Sequence, residues 1–212
     1  MDFAIPHPIL NCTQQAHTPM NTPTHLILAA ALFAKPMQRK VTTAALIGGF
    51  IPDFSLYFMF FWHRFVLNTS TNEIFRDLYY SDYWQKVFAI DNSFVVWGVL
   101  LGFALWLKNN WMIALTGAAF IHLLCDFPLH VDDARAHFWP FTMWKFESPV
   151  SYWDPNHHGD IFSVIEILLV CVLLGVLWRR FPTPFPRAVL MSAALLTIAP
   201  FVVFNLIMGF GS

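Results

Sequence analysis

Residues 161–178, IFSVIEILLVCVLLGVLW, are apolar along their whole length except for Ser163 and one carboxylate, Glu166. Eighteen residues of helix rise about 27 Å, close to the ~30 Å hydrocarbon core of a bilayer. Such a run has no polar stripe to turn toward water and is far longer than an ordinary strand, so it forms a helix surrounded by lipid or protein. Comparable runs occupy 41–62, 88–107 and 188–210, with shorter ones at 25–34 and 111–125. The chain is 57% hydrophobic and only 12% charged, whereas soluble domains are about 25% charged. The expected fold is an all-α polytopic membrane helical bundle: about five full spans plus a short N-terminal helix, with a long ordered outward loop.

Residues 1–19 are polar and Pro-containing and have no basic stretch leading into an apolar one, so they are expected to be a disordered N-terminal tail rather than a signal peptide. Residues 20–212 then form a single integral membrane domain, with Met20 as an alternative start. Asn21 or Thr24 is placed to cap a helix beginning near His25, and HLILAAALFA gives it only about 15 Å. In 41–62 the pair Gly48-Gly49 reads as an interruption, and Pro52 predicts a kink. Residues 63–87 read as a surface loop with a short amphipathic helix near 74–80. The stretch 126–160, rich in Pro, Asp, His and Trp, reads as an ordered loop, because Trp139, Phe141, Trp144, Tyr152 and Trp153 would otherwise stand in water. They suit a loop core or an interfacial belt better than a substrate box. No internal repeat supports an inverted-repeat transporter.

The formal net charge of −1 conceals a segregation. Lys35, Arg39, Lys40, Lys108, Arg179, Arg180 and Arg187 lie at three turns that the helix count puts on one side, and no acid accompanies them. Positive residues mark the cytoplasmic face, so 126–160 faces outward. With no basic face elsewhere, nucleic acid is not an expected partner. Cys12, Cys125 and Cys171 show no spacing that suggests a disulfide framework or a CxxC site.

Against this background HLLCDFPLHVDDARAH, residues 122–137, stands out. His122 and Asp126 are four apart on one helical face and offer nitrogen and oxygen donors to one point, as a divalent metal requires. The same spacing also makes a plain helix-end ion pair, but ionisable groups in membrane segments are costly and generally functional. Asp53, behind Pro52 within a span, needs a partner for the same reason. By the topology, His25, Asp53, His122, Asp126 and Glu166 fall at one depth in the outer half of the domain. Asp132, Asp133 and His137 are possible additional ligands or water-activating groups, one of the two aspartates being functional and the other simply solvated. His157 or His158, beside Asp160, contributes at most one ligand.

The elements THL, IPD, HLLCD followed by H-x(6)-H, and WPF, together with most of residues 20–160, resemble the YdjM-like family of membrane-bound metal-dependent hydrolases. That family is distantly similar to zinc-dependent phospholipase C and P1-type nucleases. The resemblance puts the family's early His on His25, its Pro-Asp on Pro52-Asp53, its His-x-x-x-Asp on His122 and Asp126, and its Trp-Pro on Trp139-Pro140. Family members continue Pro-Asp into a second Asp and a His, where this chain has Phe54-Ser55-Leu56. Their His-Arg-Gly element is echoed only by His63-Arg64. DFPLH replaces the Thr expected after the His-x-x-x-Asp helix, which offers His130 as a substitute ligand. A cobalamin-biosynthesis label attached to similar proteins finds no P-loop or glutaminase motif here.

The resemblance implies a divalent metal, zinc or alternatively manganese, held by His25, Asp53, His122, Asp126 and His130. It implies hydrolysis by metal-activated water, with Asp126, Asp133 or Glu166 as general base. The expected setting is a bacterial inner membrane, with membrane lipids as neighbours and a small-molecule or lipid-like phosphoester as substrate. The alternatives are a non-enzymatic protein that binds or relays a metal ion or proton, and a structural subunit whose His/Asp network fixes helix packing.

Overall fold

The computed structural model describes residues 22–152 and 154–209. The expected tail at 1–19, the capping candidate Asn21, Cys12 and Trp153 lie outside them. The described residues are helical, without strands: α1 Thr22–Phe33, α2 Arg39–Phe61, α3 Thr71–Glu73, α4 Asp82–Asp91, α5 Phe94–Trp106, α6 Asn110–Asp126, α7 Gly159–Arg180 and α8 Pro184–Gly209. Three helical stretches are long and apolar enough to cross a membrane: Arg39–Val66, Asp82–Trp106 and Gly159–Arg180. α1 and α6 are shorter apolar helices.

The centre of the bundle is the meeting of α1, α2 and α6, and the glycine pair of α2 makes it possible. A Cβ on Gly48 would lie 2.0 Å from the Leu115 carbonyl oxygen of α6, and one on Gly49 would lie 2.8 Å from the Ala29 Cβ of α1. Gly48-Gly49 therefore does not interrupt the helix, as its sequence suggests. It is the bare surface on which two neighbours pack, and α2 runs on through Pro52. Small residues continue the contact below it, where Val41, Ala44 and Ala45 bury against Ala114. α7 docks on α1 through Ile27, Ala31, Val170 and Leu177. The Arg180 guanidinium donates to the carbonyl oxygens of Ala31 (2.7 Å), Ala34 (3.3 Å) and Ala30 (3.5 Å), satisfying the last turn of α1.

Residues 62–87, expected to be mainly loop, are mostly helical. π-helical turns at Trp62–Val66 and Ile74–Leu78 flank α3, and Met59, Ile74, Tyr79, Trp84 and Phe88 form a buried cluster there. The signals were short but present: Ser70, Ser81 and Ser93 each accept a backbone N–H at a helix start. Ser93 also marks a break between α4 and α5 in what reads as one span. At that break the Asn92 amide donates to the Pro52 carbonyl (3.1 Å), the Ser93 hydroxyl to the Trp139 carbonyl (2.5 Å) and the Phe94 N–H to the His137 carbonyl (2.8 Å). The loop after α6 is thus tied to the α4–α5 break, which Asn92 in turn fastens to α2.

Candidate metal centre

α1, α2 and α6 each deliver ionisable side chains to one buried point. His25 Nε2 is 2.9 Å from Asp126 Oδ1, and His122 Nε2 is 3.1 Å from Asp126 Oδ2. His25, His122 and Asp126 are all buried, and one ligand atom from each lies within 4.8 Å of the others, so the three could hold a metal ion. Ligands about 2.0–2.1 Å from a tetrahedral ion sit roughly 3.3 Å from one another, close to these separations. Asp53 Oδ1 flanks the group, 3.6 Å from His122 Nε2, and His130 Nε2 lies 3.7 Å from Asp126 Oδ2.

The orientation of His122 is fixed from behind. Its Nδ1 is 2.8 Å from the Gly49 carbonyl oxygen. A carbonyl only accepts, so Nδ1 carries the proton and Nε2 faces the carboxylates. Nε2 is sealed from solvent and has no hydrogen-bond partner of acceptable geometry, the nearby carboxylate oxygens lying off the line of an N–H. A buried imidazole anchored through one nitrogen, with the other aimed at a carboxylate cluster, fits a metal ligand with an outer-shell support. The residues present fit a divalent cation.

Two partners went unnoticed in the sequence. The Thr22 hydroxyl donates to Asp53 Oδ2 at 2.6 Å and lies 2.9 Å from the Tyr57 hydroxyl. Thr22 precedes Pro23 by one residue and Tyr57 is one helical turn beyond Asp53; an i,i+4 reading of α2 would have found the tyrosine.

On the loop side, His130 Nδ1 is 2.8 Å from Asp133 Oδ2, which the Tyr152 hydroxyl approaches at 3.4 Å. Burial opposes the His130 charge, but Asp133 and Asp126 outweigh it and push its pKa up to about 9. Burial likewise works against ionised Asp133, and the His130 and Arg135 charges overcome it, holding the carboxyl below its usual range. Asp132 is exposed, whereas Asp133 is joined to His130.

Other candidates lie elsewhere. His137 is not at the centre: it packs on Phe94 and Phe127 and its Nδ1–H donates to the Asn92 carbonyl at 2.8 Å, making it a strut of the loop. Burial depresses its pKa to about 4. His157 is engaged by Asp154 at 2.6 Å. Glu166 accepts the Thr24 hydroxyl at 2.5 Å, linking α7 to the residue beside His25. Comparison of the chain with protein-family models, with curated proteins and with solved structures finds no match.

Proposed function

We propose that the chain is a membrane-embedded, metal-dependent hydrolase acting on a phosphoester or lipid-like substrate at the outer membrane interface. The observation that carries this reading is the His122 imidazole, committed through Nδ1 to Gly49 and presenting a bare Nε2 to Asp126 and Asp53. The motif resemblance to the YdjM-like family supports it. His25, His122 and Asp126 hold the ion, with Asp53 as the fourth candidate ligand and His130 close behind. Zinc suits this nitrogen and carboxylate set, and manganese is the alternative. Such an ion supplies Lewis acidity and lowers the pKa of a coordinated water toward ~7.

The chain's own groups divide the remaining work. Gly49 and Thr22 orient His122 and Asp53. Asp133, kept ionised by His130 and Arg135, holds His130 beside Asp126, and the proton from water goes to one of the three candidate bases Asp126, Asp133 and Glu166. Asp126 is faced by His25, His122 and His130, and Glu166 accepts from Thr24. In the proposed topology five helices span a bacterial inner membrane, α1 is a short additional helix, and the loop after α6 faces outward.

The test is elemental analysis of the detergent-purified protein beside His122→Ala, followed by a screen of phosphoesters and lipids. Near-stoichiometric zinc or manganese in the wild type, lost in the variant, is expected. Asp53→Asn should reduce hydrolysis more than stability. No metal in either protein after reloading overturns the reading.

A further inference from the structure

Arg135 is a buried cation with carboxylates near it but no close ion pair among the described residues. Only 8% of the residue is exposed, and its Nη1 is sealed from solvent without a hydrogen-bond partner. No carboxylate among the described residues lies within the 4.0 Å of an ion pair with it. It rests instead on π faces, with Cζ 4.2 Å from the Phe88 ring centroid and 5.0 Å from that of Tyr79. Cation–π contact offsets only part of the cost of desolvating a guanidinium.

A second cation, partly buried Lys145, stands close by. The Lys145 ammonium donates to Gln85 Oε1 at 2.6 Å, and the Gln85 amide donates in turn to the Tyr79 carbonyl at 2.6 Å, so both cations are held against the same turn of chain. Lys145 also lacks an ion-pair partner among the described residues. Burial lowers its pKa, and the Arg135 charge lowers it further. The acid nearest in sequence, Asp133, is already engaged by His130. Asp133, Asp91 and Glu147 act on the two cations only from longer range, so the unpartnered Nη1 edge and the ammonium beside it form a site for an anion. A guanidinium with a free edge matches phosphoryl oxygens in particular.

We infer that Arg135 and Lys145 form a phosphoryl-binding subsite on the loop wall, taking the phosphate monoester group of the substrate. The inference rests on the hydrolase reading for the role of that group, while the binding itself is testable without it. Asp133 joins the two sites, touching His130 on one side and standing two residues from Arg135 on the other.

The experiment is calorimetric titration of the full-length protein in detergent with inorganic phosphate, in the wild type and in a His122→Ala background, where bound metal does not contribute. Both should bind phosphate. Arg135→Gln should weaken binding at least about tenfold, the scale of a lost charged hydrogen bond, and Arg135→Lys should fall between wild type and Gln, since it keeps the charge but loses the guanidinium fork. Absence of phosphate binding by the wild type, or unchanged affinity in Arg135→Gln, overturns the inference. Should Arg135→Gln fail to fold, Lys145→Gln decides: threefold or greater weakening supports the subsite, and no change overturns it. Competition by dihexanoyl phosphatidic acid and by glycerol 3-phosphate separates a lipid headgroup from a soluble phosphate, and either result supports the subsite if displacement depends on Arg135. Zinc binding absent with Arg135-dependent phosphate binding intact sinks the hydrolase reading alone. Normal zinc with phosphate indifferent to Arg135 sinks the subsite alone.

Discussion

The rings of His25 and His122 lie face to face, centroids 3.6 Å apart and 14° from parallel, although one comes from α1 and the other from α6. Charges on both rings at this distance would repel each other. Asp126 and Asp53 beside the stack bring two carboxylates. A divalent cation held there would balance these two carboxylates.

The Gly48 contact ties this centre to helix packing. In Gly48→Ala the new methyl would meet the Leu115 carbonyl at 2.0 Å, pushing α2 from α6. Destabilisation by about 1–3 kcal/mol is expected, with metal lost although no ligand is altered. Gly102→Ala is the control, because nothing lies within 4 Å of its added Cβ. Melting curves and metal stoichiometry of the two variants check this, and equal behaviour would refute it.

Thr22 acts through Asp53. Thr22→Val removes the donor to Oδ2, and loss of an outer-shell hydrogen bond typically costs about 10–100-fold in metal affinity. Thr22→Ser should restore it. Zinc titration against a chelator provides the readout; unchanged affinity in the valine variant would remove Asp53 from the ligand set.

His137 should make the fold acid-sensitive. Its folded pKa, about 4, lies below the unfolded value of ~6.5. Its stabilising contribution is therefore complete above pH 6.5 and is lost as pH falls through 4, a change of about 3 kcal/mol. His137→Gln keeps a donor for the Asn92 carbonyl and should flatten the acid limb of a melting-temperature profile between pH 7 and 4. An unchanged limb would place the sensitivity elsewhere.

Orientation is checked by labelling a cysteine-free variant. Met37 is 94% exposed at the basic turn and Phe141 is 83% exposed in the loop. An impermeant maleimide should reach Phe141→Cys in intact cells and Met37→Cys only after the cytoplasmic side is opened. The reverse pattern would invert the topology.

Much of the centre was legible in the sequence because the bilayer makes polar residues conspicuous. His122 and Asp126 share a helical face at a fixed spacing, and Asp53 in an apolar run demands a partner. Gly48-Gly49 was misread because its meaning depends on Leu115 and Ala29, which are remote in sequence. The 62–87 region was misread because Trp84 and Phe88 bury against Met59 across two π-helical turns, a pattern with no regular period. Arg135 gave no signal, since an arginine in a polar loop reads as solvated until aromatic rings are found beneath it.

The convergence of α1, α2 and α6 also sets an order of events during synthesis. Asp53 emerges from the ribosome about 70 residues before His122 and Asp126, a delay on the order of 4–14 s at 5–20 residues per second. During that interval the α1–α2 hairpin holds half a cluster, its carboxylate without the histidine that will face it. A metal ion bound as proposed would find its full set of ligands only after α6 has joined.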